Sequence, residues 1–441
     1  LAQPASFSSR LEAARPDNIL PETMRSHRSH ATANRTEARA GGALDFTVYS
    51  SFDDAAAEWR LFQDSAAATP FQRHEWLALW HDMIGKARGV VPLLIFGHDA
   101  DGMLRLILPL GIQPGRFVKR LIWLGEGIND YNAPLVDAAF AASLTARDAA
   151  RLWWHAIAAA GDADLVDLGR QPEKIGDIAN PFATLSNGRE RYSAHAVTLG
   201  KDWDTFYQAR RSSKTRQRAR AKQRKLEAMG AVEFVWAESA VERSNLMREI
   251  LALKRAQLHD AGERDPFRSP EIQVFLDHAA RLAPRQSALR LAALRLDGDV
   301  IAAALGLVDA HTFHYVIPVF RTGAFSRCSP GSILLHNMMA WSIEQGLTSF
   351  DFTIGDEQYK TEWAEHTQKL GYALYPLSAR GKVAVALTRL ARAVKAAIKA
   401  RPALARRAVA CERLLRRLTG ADAAPGATGS DSRTSTAPSA G

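Results

Sequence analysis

The sequence predicts an α/β protein of the α+β kind: two mixed-sheet halves with flanking helices, followed by a basic helical tail. Three observations lead there. The chain has 441 residues, 47% of them hydrophobic, which is more than one hydrophobic core serves and normal for a globular protein. Strand-like runs bounded by turn residues alternate with stretches of helical period in both halves. Past Lys382 the composition shifts to apolar residues at helical spacing among Lys and Arg. The expected organisation is a disordered extension over 1–44, a first domain over 45–190, a second over 191–380, a basic amphipathic tail over 381–419 and a disordered end over 420–441.

Composition narrows the function classes. No run of 18 apolar residues occurs, so no membrane-spanning helix is expected. The chain opens on Leu1 with no apolar signal core, and Met24 is a possible start; the expectation is a cytoplasmic protein, with peripheral contact at the inner membrane open to the basic tail. Cys328 and Cys411 are the only cysteines, and they suggest neither a disulfide framework nor a metal motif. The net charge is +10, and residues 381–420 alone hold eleven Lys or Arg against Glu412. The remainder is therefore balanced, and charge alone does not argue for nucleic-acid binding.

The first half opens with a strand at Asp45–Tyr49 and a helix from Phe52 to Ser65. Thr69-Pro70 reads as the cap of a second helix. Trp76, Leu79, Trp80 and Met83 line one side of it, where Trp76 is either a ligand contact or plain packing. Val90–Phe96 and Leu104–Leu110 form a strand pair around Asp99–Gly102, and Leu121–Leu124 follows. The loop Gly125–Pro134 is dense in polar and turn residues. Asp130 and Tyr131 are its candidate binding groups, because a sheet fixes such a loop while leaving it exposed. A helix over Asp148–Ala160, a strand near Asp164–Leu168 and a loop-rich crossing over Pro172–Arg191 complete this half.

The second half begins near Tyr192, with a helix after Asp204. Residues 210–225 carry nine positive charges and no negative one. Such a run repels itself on a helix. It either stays solvated or meets an anion, with Lys214 and Arg216 as candidate substrate contacts. Gly230 ends it, and a strand at Ala231–Val235 follows. Helices over Ser239–Ala261 and Ser269–Leu282 come next. Asp297-Gly298 between apolar runs marks a two-residue hairpin, and Asp309–His311 a further turn before a third strand. Gly331–Gln345 has helical length with apolar side chains on nearly every face, so it is buried against a sheet. Gly346 ends it. The segment Ser329-Pro330-Gly331-Ser332 reads as an ordinary cap or as an amide-rich seat for a phosphate. Ser349–Ile354 and Tyr372–Tyr375 are the last strands.

Asp351, Asp356, Glu357, Tyr359 and Lys360 fall within ten residues. Alternation puts the Asp351 carboxylate opposite the face used by Phe350 and Phe352, and an aspartate in mid-strand needs a partner or a cleft. The cluster suits acyl transfer to an amine or hydroxyl. A carboxylate would orient or deprotonate the nucleophile, Tyr359 would donate a proton or hydrogen bond, and Lys360 would steady an anion.

These residues carry a resemblance. Ser329–Ser332 before a Leu-rich helix, then Phe350–Phe352, Gly355–Glu357 and Tyr359-Lys360, resemble the GNAT-type acetyltransferases of bacterial cellulose and capsule biosynthesis. This is the CelD/BcsL family, related to the FemABX-like peptidoglycan aminoacyltransferases. Thr69–Phe71, Trp76, Asp130-Tyr131 and Ser213–Arg216 agree, and the likeness spans about residues 45–378. It implies two GNAT-like halves and an acyl-CoA donor, acetyl-CoA in the simplest case, with no metal. Asp351, Tyr359 and Asp356 would be catalytic. Arg327, Ser329, Gly331, Ser332 and Lys360 would bind the donor, and Asp130, Tyr131, Trp76, Lys214 and Arg216 the acceptor. The usual Arg/Gln-x-x-Gly-x-Gly/Ala loop is represented only by Arg327–Ser332, one glycine short. The implied acceptor is a sugar, polysaccharide precursor or amine. The alternatives are an aminoacyl-tRNA-dependent transferase, with tRNA as partner, and an inactive scaffold of an exopolysaccharide system.

Overall fold

The computed structural model describes residues 44–158, 161–282 and 288–400. The expected disorder over 1–43 and 420–441 and the tail beyond residue 400 lie outside these residues. The described strands are β1 (Asp45–Tyr49), β2 (Val91–His98), β3 (Leu104–Pro114), β4 (Lys119–Trp123), β5 (Leu135–Val136), β6 (Leu165–Pro172), β7 (Lys174–Ile175), β8 (Ile178–Ala179), β9 (Gly188–Thr198), β10 (Val232–Trp236), β11 (Leu289–Leu296), β12 (Asp299–Val308), β13 (Thr312–Phe320), β14 (Ser349–Ile354) and β15 (His366–Pro376). All but the β7–β8 hairpin join one mixed sheet, in the order β1-β2-β3-β4-β6-β15-β9-β14-β13-β12-β11-β10, with β5 beside β3.

The element order repeats. A strand, two helices, three antiparallel strands, a crossover helix and a parallel strand run from β1 to β6, and again from β10 to β14. The crossover helices are Ala146–Ala158 and Pro330–Glu344. The strands that close each run are exchanged. β9, which follows β6 in the chain, pairs antiparallel with β14, while β15 pairs with β6. β9 and β15 also pair with each other. The two runs are therefore joined through backbone hydrogen bonds, and the boundary expected near residue 191 falls inside β9.

Local chemistry accounts for the elements. Asp297 and Gly298 both take positive φ, 51° and 87°, as a tight hairpin turn requires. Ser239 and Glu242 form a capping box at the start of the helix Ala240–Asp260, satisfying two orphan donors reciprocally. Gly346 ends the helix Pro330–Glu344 at φ 75°, where a side chain would be strained. Other expectations shift. Pro70 opens a short 3-10 turn, Pro70–Gln72, and the helix His74–Trp80 starts only after extended Arg73. The side chain of Gln72 explains the interruption: it accepts from Thr69 Oγ1 at 2.6 Å and donates to the Tyr131 carbonyl at 2.9 Å. The crossing over Pro172–Arg191 is partly strand, and the last strand begins six residues before Tyr372.

One hydrophobic core covers a face of both runs, bringing Trp59, Trp76 and Trp80 together with Met247, Ile250 and Phe275. Trp76 stands edge-on to Phe275, with centroids 4.9 Å apart. The opposite face is divided. Trp153 and Phe182 pack by the helix Ala146–Ala158, and Phe313, Phe350 and Phe352 pack by the helix Pro330–Glu344. Among the described residues no helix is long and apolar enough to cross a membrane.

Phe350 is fully buried and stacks on Phe313 at 5.1 Å. Phe350→Ala is expected to lower the unfolding free energy by about 3–5 kcal/mol. Urea denaturation measures this, and a loss below about 1 kcal/mol would show that the pair does not anchor the sheet.

Candidate active site

The site begins where β13 and β14 part. They pair in parallel only at Thr312↔Ser349, Phe313↔Phe350 and His314↔Asp351. Beyond that point β13 continues against β12, and β14 against β9. Thr353 enforces the departure with φ 58°. Its amide donates to Asp351 Oδ1 at 2.7 Å and its hydroxyl to the Tyr315 carbonyl at 3.2 Å. Gly355 follows at φ 135°, where a Cβ would lie 2.2 Å from Glu357 Oε2; only glycine suits this exit.

On the face toward the shared core, the loop after β4 is held by its own polar atoms. Asn129 is fully buried, accepts from Trp76 Nε1 at 2.8 Å and donates to the Phe71 carbonyl at 3.3 Å. This fixes Tyr131, whose hydroxyl donates to both oxygens of Asp351, each at 2.9 Å. His314 extends the chain of contacts. Its Nε2 lies 2.8 Å from Asp309 Oδ2, and its Nδ1 faces Asp351 Oδ2 at 3.5 Å, an ionic contact longer than a full hydrogen bond. Burial works against charge on this imidazole, but the carboxylates of Asp309 and Asp351 outweigh it and raise its pKa to about 10. His314 is thus an imidazolium between two carboxylates. Burial, then the Asp351 charge, keeps Tyr131 a neutral phenol.

Beside this network lies a second group of charges. Asp130 pairs with Arg170 at 3.3 Å, and burial raises its pKa despite Arg170 and Lys360. The Lys360 ammonium is buried, donates to the Ile354 carbonyl at 2.7 Å and pairs with Glu357 at 3.2 Å. Lys254, on the helix Ala240–Asp260, is half-buried, and its ammonium makes no hydrogen bond or ion pair among the described residues. Burial lowers its pKa, and Glu357, Glu263 and Asp130 partly restore it.

The opposite face holds the crossover helix. Ser329 enters it at φ 55° and ψ 60°. Its carbonyl accepts from the amides of Ser332 and Ile333, which leaves Gly331 as the first-turn amide without a backbone acceptor among the described residues. The Lys222 ammonium donates to Ser329 Oγ at 2.7 Å, bringing the basic helix Ser213–Glu227 to this end. Arg327 and Ser332 are exposed. Deeper in, the Tyr359 hydroxyl is buried without a hydrogen-bond partner. Burial, reinforced by Tyr315 and Glu357, pushes its pKa far up.

The residues singled out from the sequence fall into three places. Asp130, Tyr131, Asp351 and Lys360 come together at the parting of the strands. Ser329, Gly331, Ser332 and Arg327 gather at the helix start, and Lys360 does not join them. The rest lie elsewhere. Trp76 is core, with its indole on Asn129. Asp356 is half-exposed and ties β14 to β9, accepting from His195 Nε2 at 3.0 Å and the Ser193 amide at 3.2 Å. Arg216 caps carbonyls of Gln208 and Arg211, while Lys214 is exposed. No local pattern assigns a site role to His314, Asp309, Arg170, Lys254 or Lys222, although Asp309 falls in an expected turn and Lys222 in the basic run. The one available signal was a histidine in an apolar strand five residues after a turn aspartate. Among the described residues no group of His, Cys, Asp and Glu could hold a metal ion.

Residues 213–361 match the family model described as an acetyltransferase (GNAT) domain. No curated protein matches the chain by sequence. Among solved structures, FemX is similar at TM-score 0.51 and 13% identity, over 73% of this chain and 95% of that one. L-PGS from Bacillus licheniformis is similar at TM-score 0.44 and 13% identity, over 75% and 95%. A tandem GNAT protein from the clavulanic acid biosynthesis pathway gives TM-score 0.42 and 12% identity, over 75% and 97%. The FemX likeness is one of fold; the domain match makes the chain an acyltransferase.

The His314 pKa of about 10 lies above its unfolded value of 6.5, so its stabilisation is complete below about pH 6.5 and is lost as pH rises through about 10. Asp309→Asn is expected to cost about 3 kcal/mol at pH 7, with the gap to the parent narrowing toward pH 10. Urea unfolding across that range measures it, and a pH-independent gap would exclude the imidazolium.

Proposed function

We propose that the protein transfers an acyl group, acetyl in the simplest case, from acyl-CoA directly to an amine or hydroxyl of a polysaccharide, sugar-nucleotide or other cell-envelope precursor. The reaction is assigned to the cytoplasm. The observation that supports this reading best is the two-sided parting of β13 and β14 inside the GNAT-matched segment. One face offers an unpartnered tyrosine and a helix start with a lysine beside it; the other offers a carboxylate of raised pKa and an unpaired lysine.

The donor fits the first face. The Gly331 amide and the positive end of the helix dipole suit a diphosphate, and Lys222, Arg327, Ser329 and Ser332 surround it. The donor supplies an activated acyl thioester. The Tyr359 hydroxyl, otherwise an unpaid cost of burial, would donate a hydrogen bond to the departing thiolate, which takes its proton from solvent. On the other face Asp130 would take the proton from the attacking group, since a raised carboxyl pKa moves it toward neutrality. Lys254 would hold an anionic part of the acceptor. Asp351 is already committed to Tyr131, Thr353 and His314, so we assign it a positioning role. Asp356 and Lys360 brace the exit of β14.

A second reading draws on the basic helix beside Ser329 and on the FemX-like fold: an aminoacyl-tRNA donor. It predicts tRNA binding that falls steeply with salt and is lost in Arg218→Ala/Arg220→Ala protein. An inactive exopolysaccharide scaffold is the outcome if neither donor binds.

Calorimetric titration with acetyl-CoA, with free CoA and desulfo-CoA as controls, tests the donor. Micromolar binding is expected, weakened about tenfold, or about 1.4 kcal/mol, by Lys222→Ala. No binding at millimolar ligand would end the acyl-CoA reading. With a panel of amino sugars and sugar nucleotides as acceptors, Tyr359→Phe and Asp130→Asn should each lower kcat by about 10²-fold. Because Asp130 acts deprotonated and its pKa is raised, parent activity should fall with decreasing pH before ordinary carboxylates titrate. The Asp130→Asn profile should lose that limb, and an unchanged profile would remove Asp130 from the proton path.

A further inference from the structure

The helix Ala379–Ala400 follows the last strand, and up to residue 394 its buried positions lie on one face. Val385 is buried in a small cluster with Leu165 and Leu374. Arg392 lies over the Tyr372 ring at 4.2 Å and within 3.9 Å of Asp167. A Cβ on Gly381 would meet the Asp164 carbonyl at 1.8 Å, so the helix approaches the sheet closely there. The docked positions 381, 385, 388 and 392 are spaced by four, three and four. Displaced from them by two residues, about 200° around the helix, runs a second stripe of the same spacing: Val383, Leu387, Leu390 and Val394. These are 61%, 61%, 60% and 49% exposed. Four large apolar residues in one line facing water are unusual for a helix that already has its packing face.

Charge tells what covers them. On the helical wheel Arg380 lies at one edge of the stripe and Lys382 toward the other, while Arg389 turns to the sheet and donates to the Leu374 carbonyl at 3.4 Å. The adjacent β3–β4 turn adds Phe117, 75% exposed, with the Arg116 guanidinium 5.2 Å from its ring centroid; its neighbour Val118 packs in the same cluster as Val385. A second copy would bring cationic borders together. Residues 401–419 carry six Arg and one Glu, the same sign of charge as the borders. An apolar line between cationic borders, with an exposed aromatic on the neighbouring turn, matches the boundary of an anionic bilayer.

We propose that the exposed face of this helix, with Phe117, is a docking surface for anionic lipid membranes. It holds the enzyme at the bilayer surface without spanning it, and it stands independently of the acyl-transfer assignment.

The test is co-sedimentation of the full chain with vesicles of phosphatidylcholine, with and without phosphatidylglycerol. Binding to the anionic vesicles is expected, weakening as salt rises. Leu387→Glu/Leu390→Glu should lower it about tenfold or more, with the acetyl-CoA titration unchanged. If that variant fails to fold, Arg380→Gln/Lys382→Gln decides, through weaker binding and a shallower salt dependence. Absent binding at low salt, equal binding to neutral vesicles, or parent-like binding by the folded variants would overturn the proposal. A dimer that dissociates in Leu387→Glu/Leu390→Glu, without vesicle binding, would assign the stripe to a second copy and overturn it as well.

Discussion

The structure depends on a charge placed where charges are costly. His314 sits buried between Asp309 and Asp351, and Tyr131 reaches across from the first run to bond both oxygens of Asp351. An isolated carboxylate at that depth would be severely penalised. Here one imidazolium, one phenol and one amide satisfy it. The satisfied network in turn fixes the point at which β13 and β14 part, because Asp351 and His314 are the last paired residues of the two strands.

The exchanged strands serve the same end. A site at the seam of two independently closed sheets would move with any hinge between them. Here β9 and β15 each close the other run and pair with one another, so shifting one run against the other would break backbone hydrogen bonds. The Tyr131–Asp351 contact lies along this seam. Chain order obscures it: the two residues are 220 positions apart. The shared core, with Trp76 against Phe275, gives the seam a hydrophobic floor.

Two chemically distinct faces result. Strand alternation sends Phe350 and Phe352 toward the crossover helix and Asp351 toward the first run. The donor-like features gather on one side and the titratable groups on the other. Burial raises the pKa of Asp130 and lowers that of Lys254, and the Lys360 charge acts on both. Such clustered perturbation marks functional sites more often than plain surface does.

Local signals in the sequence determined much of this. Asp297-Gly298 set a hairpin, Ser239 a helix start and Gly346 a helix end, because each rests on backbone conformations or caps that neighbouring residues decide. The alternation around Asp351 placed its carboxylate, and a polar loop after an apolar strand singled out Asp130 and Tyr131. Tertiary structure decided what depends on partners distant in the chain. His314 looks like any strand residue until Asp309 and Asp351 flank it. Lys222 is one of nine charges until Ser329 receives it, and Pro70 caps a full helix until Gln72 is drawn to the Tyr131 carbonyl. The strand exchange could not be read at all, because β9 and β15 satisfy the same alternation whichever run they close. Only their hydrogen-bond partners distinguish the two arrangements, and those partners lie far away along the chain.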